Sequence, residues 1–260
     1  MRADGPAQTT TDRPSRVLPR NDPRQYDDLA DEWWRPDGAF AMLHWLARAR
    51  AALVPPADRP GAVLVDVGCG AGLLAPHLAG KGYRHVGVDL TRSALRQAAA
   101  HGVAVVNGDA TRVPLADGVA DVVTLGEILE HVPDWPAAVA EAARLLRPGG
   151  TLVLDTLNDT ALSRVLAVHV AELFPGVPRG IHDPRLFVDA RALVGECARH
   201  GVRLRVRGVR PETLGTLRWL AGRAVSSLAG RPAGATRRAP RIVPTFSAAV
   251  LYQGRGTKRG

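Results

Sequence analysis

The chain has 260 residues, of which 46% are hydrophobic, so it can bury a sizeable core, and no apolar run approaches the roughly 18 residues of a membrane-spanning helix. Its net charge of +9 raises nucleic acid as a partner, but arginine carries nearly all of it, and the cluster of Arg231, Arg237, Arg238 and Arg241 has no interleaved aromatic residue on which a base could stack. No nucleic-acid partner is therefore expected, and Cys69 and Cys197 fit a reducing cytoplasm better than a disulfide framework.

Residues 1–22 are polar and rich in Thr, Pro and Arg, and they lack the apolar stretch of a signal peptide. They read as a disordered tail. Residues 23–56 read as a helical cap, with one helix over 26–34 broken by Arg35-Pro36-Asp37-Gly38 and a second over 40–53 stopped by Pro55-Pro56. From 57 to 156, strands and helices alternate. Strands are predicted at 62–67, 85–89, 104–107, 120–125 and 151–155, and helices at 72–81, 91–101 and 135–146. Near-continuous Val and Leu strands alternating with helices predict a parallel sheet covered on both faces.

An insertion over 157–190 interrupts this rhythm. Within it, 161–174 carries Leu162, Val165, Leu166, Val168 and Leu173 at helical spacing. The rest of the sheet is expected from 191–253, with a helix over 190–200 and strands at 202–209 and 245–252, the last antiparallel. A basic flexible loop is expected at 222–241 and a second disordered tail at 254–260. The expected fold is α/β: a Rossmann-like, seven-stranded, mostly parallel sheet with helices on both faces, an N-terminal helical extension and an insertion after the fifth strand.

The most informative stretch is Val63 to Gly72, a buried strand that runs into a turn with glycines at 68, 70 and 72. Such a turn lets a ligand approach the backbone. About twenty residues on, Val86-Gly87-Val88-Asp89 ends a second strand in a carboxylate able to accept hydrogen bonds from both hydroxyls of a ribose. The spacing is G-x-G-x-G, with Leu73 where the dinucleotide fingerprint has its last glycine. Asp66, just before the turn, would repel a pyrophosphate but suits a cationic amino group. Asp109 follows a third strand and can meet an adenine amino group. With their neighbours Leu90 and Ala110, these residues favour S-adenosylmethionine over NAD. The Arg147-Pro148-Gly149-Gly150 turn before a further strand agrees, and the whole pattern resembles a class I methyltransferase.

Two more stretches narrow the resemblance. Asp31-Glu32-Trp33-Trp34-Arg35-Pro36-Asp37-Gly38 is followed by Leu43-His44 and Arg50, and Gly126-Glu127-Ile128-Leu129-Glu130-His131-Val132-Pro133-Asp134 follows the fourth strand. Both resemble the ubiquinone-biosynthesis O-methyltransferases, which methylate polyprenyl catechols and hydroquinols. Thr156-Leu157-Asn158 and Gly180-Ile181-His182-Asp183 extend the likeness into the insertion, with Ile181 in place of Thr. The resemblance implies cofactor contacts at Arg50, Gly68, Asp89 and Gly126, where a larger side chain such as Met can occur. A guanidinium at Arg50 could bind the cofactor carboxylate bidentately. The implied partner is a small phenolic or quinol acceptor, covered by the insertion. Peripheral contact of residues 157–190 with the inner face of the membrane goes with such an acceptor.

Glu127, Glu130 and His131 stand at i, i+3 and i+4 and would share one face of a helix. Three readings remain. They hold Mg²⁺ or Zn²⁺, as corresponding residues do in some members of the resembled family; or His131 is a general base with Glu130 beside it; or the acids merely favour a helix start. Other acceptors also remain open: a secondary metabolite methylated on O or N, or RNA. A cofactor-binding protein without turnover is the alternative outside enzymes.

Overall fold

The computed structural model describes residues 18–170, 179–228 and 239–260. Its parallel strands are β1 (Val63–Val67), β2 (Arg84–Asp89), β3 (Ala104–Asn107), β4 (Ala120–Gly126) and β5 (Leu146–Leu157), joined by β6 (Val202–Pro211), β7 (Ile242–Thr245) and β8 (Leu251–Lys258). They form one eight-stranded sheet in the order β3-β2-β1-β4-β5-β8-β6-β7. The first five pair in parallel, and β8 runs antiparallel between β5 and β6. The helices are α1 (Arg24–Asp28), α2 (Ala41–Leu53), α3 (Ala75–Leu78), α4 (Arg92–Ala100), α5 (Trp135–Leu145), α6 (Ala161–Arg164), α7 (Ala190–Arg199) and α8 (Thr213–Leu228).

Side chains of a strand alternate between faces, and that alternation makes two cores. Leu64, Val122 and Val153 meet Ala51, Leu74 and Leu78 of the α2–α3 layer. Val65, Val123, Leu152 and Leu154 meet Val139, Ala142, Leu193 and Cys197 of the α5–α7 layer. Both faces of the central strands β1, β4 and β5 are covered, so these need no polar alternation, as expected.

Three expectations about the C-terminal part are corrected. The sheet has eight strands rather than seven. Its last strand is not 245–252 but Leu251–Lys258, so the expected tail at 254–260 is mostly strand. It is held by full pairing with β6 and by Lys258 Nζ, which donates to the carbonyls of Ala143 and Leu146 at 2.8 Å each. The supposed loop at 222–241 begins inside α8, a helix the sequence hid. Gly215 and Gly222 each weaken a helix by roughly 1 kcal/mol relative to Ala, and Leu214, Leu217 and Val225 are exposed, so no clean amphipathic stripe forms. What anchors α8 is tertiary: Trp219 lies edge-on against Trp45 with centroids 5.0 Å apart, and the Arg223 guanidinium donates to the Asp37 carbonyl. Residues 229–238 of that loop lie outside the described residues.

The insertion helix expected over 161–174 is a four-residue α-helix that passes into a π-helical turn, Val165–Val170. Its remainder lies outside the described residues, as do residues 1–17 of the N-terminal tail.

Asp121 pins the entry to β4. Its carboxylate accepts from the Val63 N–H at 2.7 Å, from Arg59 at 2.8 and 2.9 Å and from Arg147 at 2.6 Å. Burial pushes this carboxyl up, but the Val63 N–H and the two guanidinium groups outweigh it and leave it below its ordinary value. A depressed carboxylate gives stability that is present above the unfolded value and lost as pH falls through the folded one. Asp121→Asn is therefore expected to lower the melting temperature at neutral pH and to flatten its decline below about pH 4, as read by thermal melts across pH.

Candidate active site

A cavity of 1110 Å³ opens at the C-terminal ends of β1, β2 and β4, roofed by α1, α2, the insertion and α8. Ligands of open α/β sheets gather at this edge. Nine of the ten sequence-predicted cofactor residues line it: Arg50, Asp66, Gly68, Gly70, Asp89, Leu90, Asp109, Ala110 and Gly126. Gly72 does not. Its φ is +79°, and a Cβ there would meet Ala98 and Val103 at 3.1 Å, so its glycine serves the packing of the turn on α4. Gly70 has φ +50°, and a Cβ there would lie 2.7 Å from the Trp33 ring. Asp89 accepts from the Gly70 N–H at 2.9 Å and the Thr91 N–H at 2.8 Å, which fixes its carboxylate at the rim.

Arg50 is buried and does not wait alone for a ligand. Its Nε donates to Asp155 at 3.0 and 3.1 Å and its Nη2 at 2.7 Å, while Gln253 Nε2 donates to the same carboxylate at 3.1 Å. Sequence reasoning missed Asp155 and Gln253. The signal for Asp155 was an acid inside an otherwise apolar buried strand, which requires a partner. Gly126 makes room for this pair, because a Cβ there would sit 1.8 Å from Arg50 Cζ and 2.0 Å from Nη1.

The segment after β4 departs from expectation. Glu127, Glu130 and His131 do not share a helical face. Glu127 has φ +50°, its N–H continues the sheet by donating to the Asp155 carbonyl at 3.0 Å, and only Leu129–His131 turns, as a short 3₁₀ helix. Pro133 was the readable signal, since it forces Val132 into extended geometry and forbids a longer helix. The Glu127 carboxyl is held well above its ordinary value by burial and by Glu130 and Asp155. Glu130 lies beneath the cavity wall rather than on it. Its Oε2 accepts from the Thr156 hydroxyl at 2.7 Å, its Oε1 is buried without a partner, and burial pushes its carboxyl up to about 7.

In place of Glu127, the fold brings His182 of the insertion to Glu130 and His131. One ligand atom from each lies within 4.8 Å of the others. The two imidazoles stack with centroids 5.3 Å apart. A further partner comes from the supposed tail. Asn21 Nδ2 donates to the His131 carbonyl at 2.9 Å, which turns Asn21 Oδ1 toward His131 Nδ1 at 2.6 Å. That oxygen can only accept, so Nδ1 carries the proton and Nε2 presents its lone pair, 3.3 Å from the Tyr26 hydroxyl. Burial, reinforced by His182, pulls His131 down to about 3, so its imidazole is neutral.

The donor set fits a divalent cation. Two imidazole nitrogens and a carboxylate are the ligands of many catalytic zinc sites, the unpartnered Glu130 Oε1 lacks a donor or a cation, and the imidazole is in its metal-binding form. Mg²⁺ prefers oxygen ligands, so the set suits Zn²⁺ better.

Comparison with known proteins agrees with the geometry. A methyltransferase domain family matches residues 65–154. The ubiquinone biosynthesis O-methyltransferase of Thiobacillus denitrificans is 40% identical over 181 residues, covering 65% of this chain and 77% of that protein. The chain belongs to the ubiquinone-biosynthesis O-methyltransferase family. The enzyme of the same name from Cupriavidus pinatubonensis is 38% identical over 196 residues, covering 67% of this chain and 79% of its own. Solved structures support the fold. A Thermotoga maritima S-adenosylmethionine-dependent methyltransferase, described as a possible histamine N-methyltransferase, superposes with a TM-score of 0.60 at 18% identity, over 90% of this chain and 98% of its own. As a member of this methyltransferase family, the chain uses S-adenosylmethionine. The glycine turn, the Asp89 carboxylate and a cavity of 1110 Å³ suit that cofactor with an acceptor beside it.

Gly126→Ala is expected to drive Arg50 off Asp155. Parting a buried ion pair costs about 3–5 kcal/mol, so calorimetry should register both a lower melting temperature and weaker S-adenosylmethionine binding. An unchanged affinity would mean that Arg50 has another place to go.

Proposed function

We propose that this chain transfers a methyl group from S-adenosylmethionine to a phenol, catechol or quinol hydroxyl, with the hydroxyl lodged beside His131 and His182 and activated by a divalent cation on Glu130, His131 and His182. The carrying observation is that three-donor cluster, with His131 and His182 on the wall of the cofactor cavity and Glu130 beneath it.

The cofactor supplies an electrophilic methyl on a sulfonium. The chain's part is positioning, water exclusion and removal of one proton. Asp89 and the backbone around Gly68 and Gly70 would seat the nucleoside. Asp66 would face the cationic amino group, and Arg50 the carboxylate end. Trp33, Phe40 and Trp45, buried in the cap, line the cavity with apolar surface. Asn21 holds the His131 ring, and Glu130 is held by Thr156.

Unaided base catalysis by His131 is disfavoured by magnitude. Burial holds the imidazole far below a phenol near ~10, so the proton transfer would run uphill. A cation bound there would instead lower the acceptor's own pKa as a Lewis acid. Glu127, whose carboxyl burial holds well above its ordinary value, lines the cavity but stays outside the three-donor cluster.

No described helix is long and apolar enough to cross a membrane. Leu162 and Val165 of the insertion are about half exposed, at 50% and 48%, which supports peripheral contact with the inner face of a bilayer that holds an apolar acceptor.

Purified protein is expected to hold about one equivalent of metal, and EDTA to abolish methylation of a catechol until Zn²⁺ or Mg²⁺ is returned. His182→Ala should weaken zinc binding in a chelator competition by at least about tenfold. Turnover that ignores EDTA in metal-free protein would remove the cation from the account.

A further inference from the structure

Several arginines of the chain are paired with carboxylates, among them Arg35 with Glu32, Arg59 with Asp121, Arg144 with Glu141, Arg164 with Asp159 and Arg185 with Asp183. One face of the sheet gathers arginines with no such partner among the described residues. Along β6, Arg203, Arg205 and Arg207 alternate with core residues and project from the face opposite Leu204. The register sets Arg205 directly against Arg255 of β8, Arg207 against Gln253 and Arg203 against Thr257. Arg203, Arg205, Arg207 and Arg255 are exposed, and none makes an ion pair among the described residues. Like charges directly opposed across a ladder destabilise it.

These side chains line a cleft of 640 Å³ closed at one side by Leu53, at the end of α2, with Lys258 and Arg259 at its far end. No Asp or Glu among the described residues lines it. Lys258 Nζ is spent on two carbonyls, so the arginines supply the free donors. The cleft lies outside the methyl-transfer cavity and shares no lining residue with it.

We propose that this cleft binds an oligophosphate, a compact anion with two or more linked phosphoryl groups, independently of methyl transfer. Charge complementarity is the first ground: several exposed arginines line one cleft with no described carboxylate among its lining residues, and each guanidinium presents a planar fork that matches phosphate oxygens. Size is the second. The volume of 640 Å³ is that of a small-molecule site. Composition is the third, since no aromatic residue lines the cleft to stack a base and Leu53 and Val206 are its only large apolar side chains. An anion bridging Arg205 and Arg255 would relieve the cross-strand repulsion, so binding should also stabilise the fold.

The test is titration of the full chain with tripolyphosphate, by calorimetry and by thermal melting, against sulfate at matched ionic strength. Saturable binding and a raised melting temperature are expected with tripolyphosphate and not with sulfate. Arg205→Glu sets a carboxylate opposite Arg255. It should melt no lower than the parent, yet bind tripolyphosphate at least about tenfold more weakly. Arg255→Gln, which keeps the side chain's length without its charge, should weaken binding likewise. Equal binding by parent and both variants, an equal response to sulfate, or no saturable binding would overturn the proposal. So would retention on anionic vesicles or single-stranded RNA that tripolyphosphate does not compete away.

Discussion

The buried ion pair between Arg50 and Asp155 is the interaction on which the rest of the site depends. It ties the capping helix α2 to the centre of the sheet and fixes a guanidinium at the cavity wall. Charges this deeply buried are tolerated only when paired and fully hydrogen-bonded, and Asp155 gains a further donor from Gln253 of the last strand. The pair therefore links three separate parts of the sequence. It also dictates Gly126, because any side chain there would occupy the guanidinium's place. One glycine at the end of β4 is thus a consequence of the charge arrangement and not a flexible hinge.

A second constraint acts on the acceptor side. His131 is gripped from two directions, by Asn21 just before α1, bonded to both its ring and its carbonyl, and by Tyr26 within α1, facing Nε2. Burial keeps the ring neutral and its tautomer is set. A neutral, oriented imidazole beside a second imidazole and a partly unsatisfied carboxylate is poorly suited to take a proton from a phenol unaided and well suited to hold a cation. That is the ground for proposing Lewis-acid assistance rather than simple base catalysis.

Much of this was legible in the sequence, for physical reasons. Continuous Val and Leu runs alternating with helices have few solutions other than a parallel sheet covered on both faces, and Asp89 at a strand tip after a glycine turn has few uses. What was not legible depended on partners distant in the chain. Gly72 sits in the motif but serves Ala98. Glu127 has helical spacing to Glu130 and His131, yet it leaves the sheet through a left-handed residue because its N–H is claimed by Asp155. Asn21 lies in a polar, Pro-rich stretch whose composition reads as disorder, and its left-handed φ of 61° is one that asparagine tolerates. The helix α8 carries two glycines and an exposed apolar fringe, so only its contacts with Trp45 and Asp37 account for it.

The central claim is methyl transfer to an aromatic hydroxyl. Its most direct test is to incubate the metal-replete protein with S-adenosylmethionine labelled in the methyl group and a panel of catechols, prenylated quinols and amine acceptors, and to locate the label by NMR. The account predicts an aryl methyl ether from a catechol or quinol. Label on nitrogen, or no transfer to any hydroxyl by protein that binds the cofactor tightly, would contradict it.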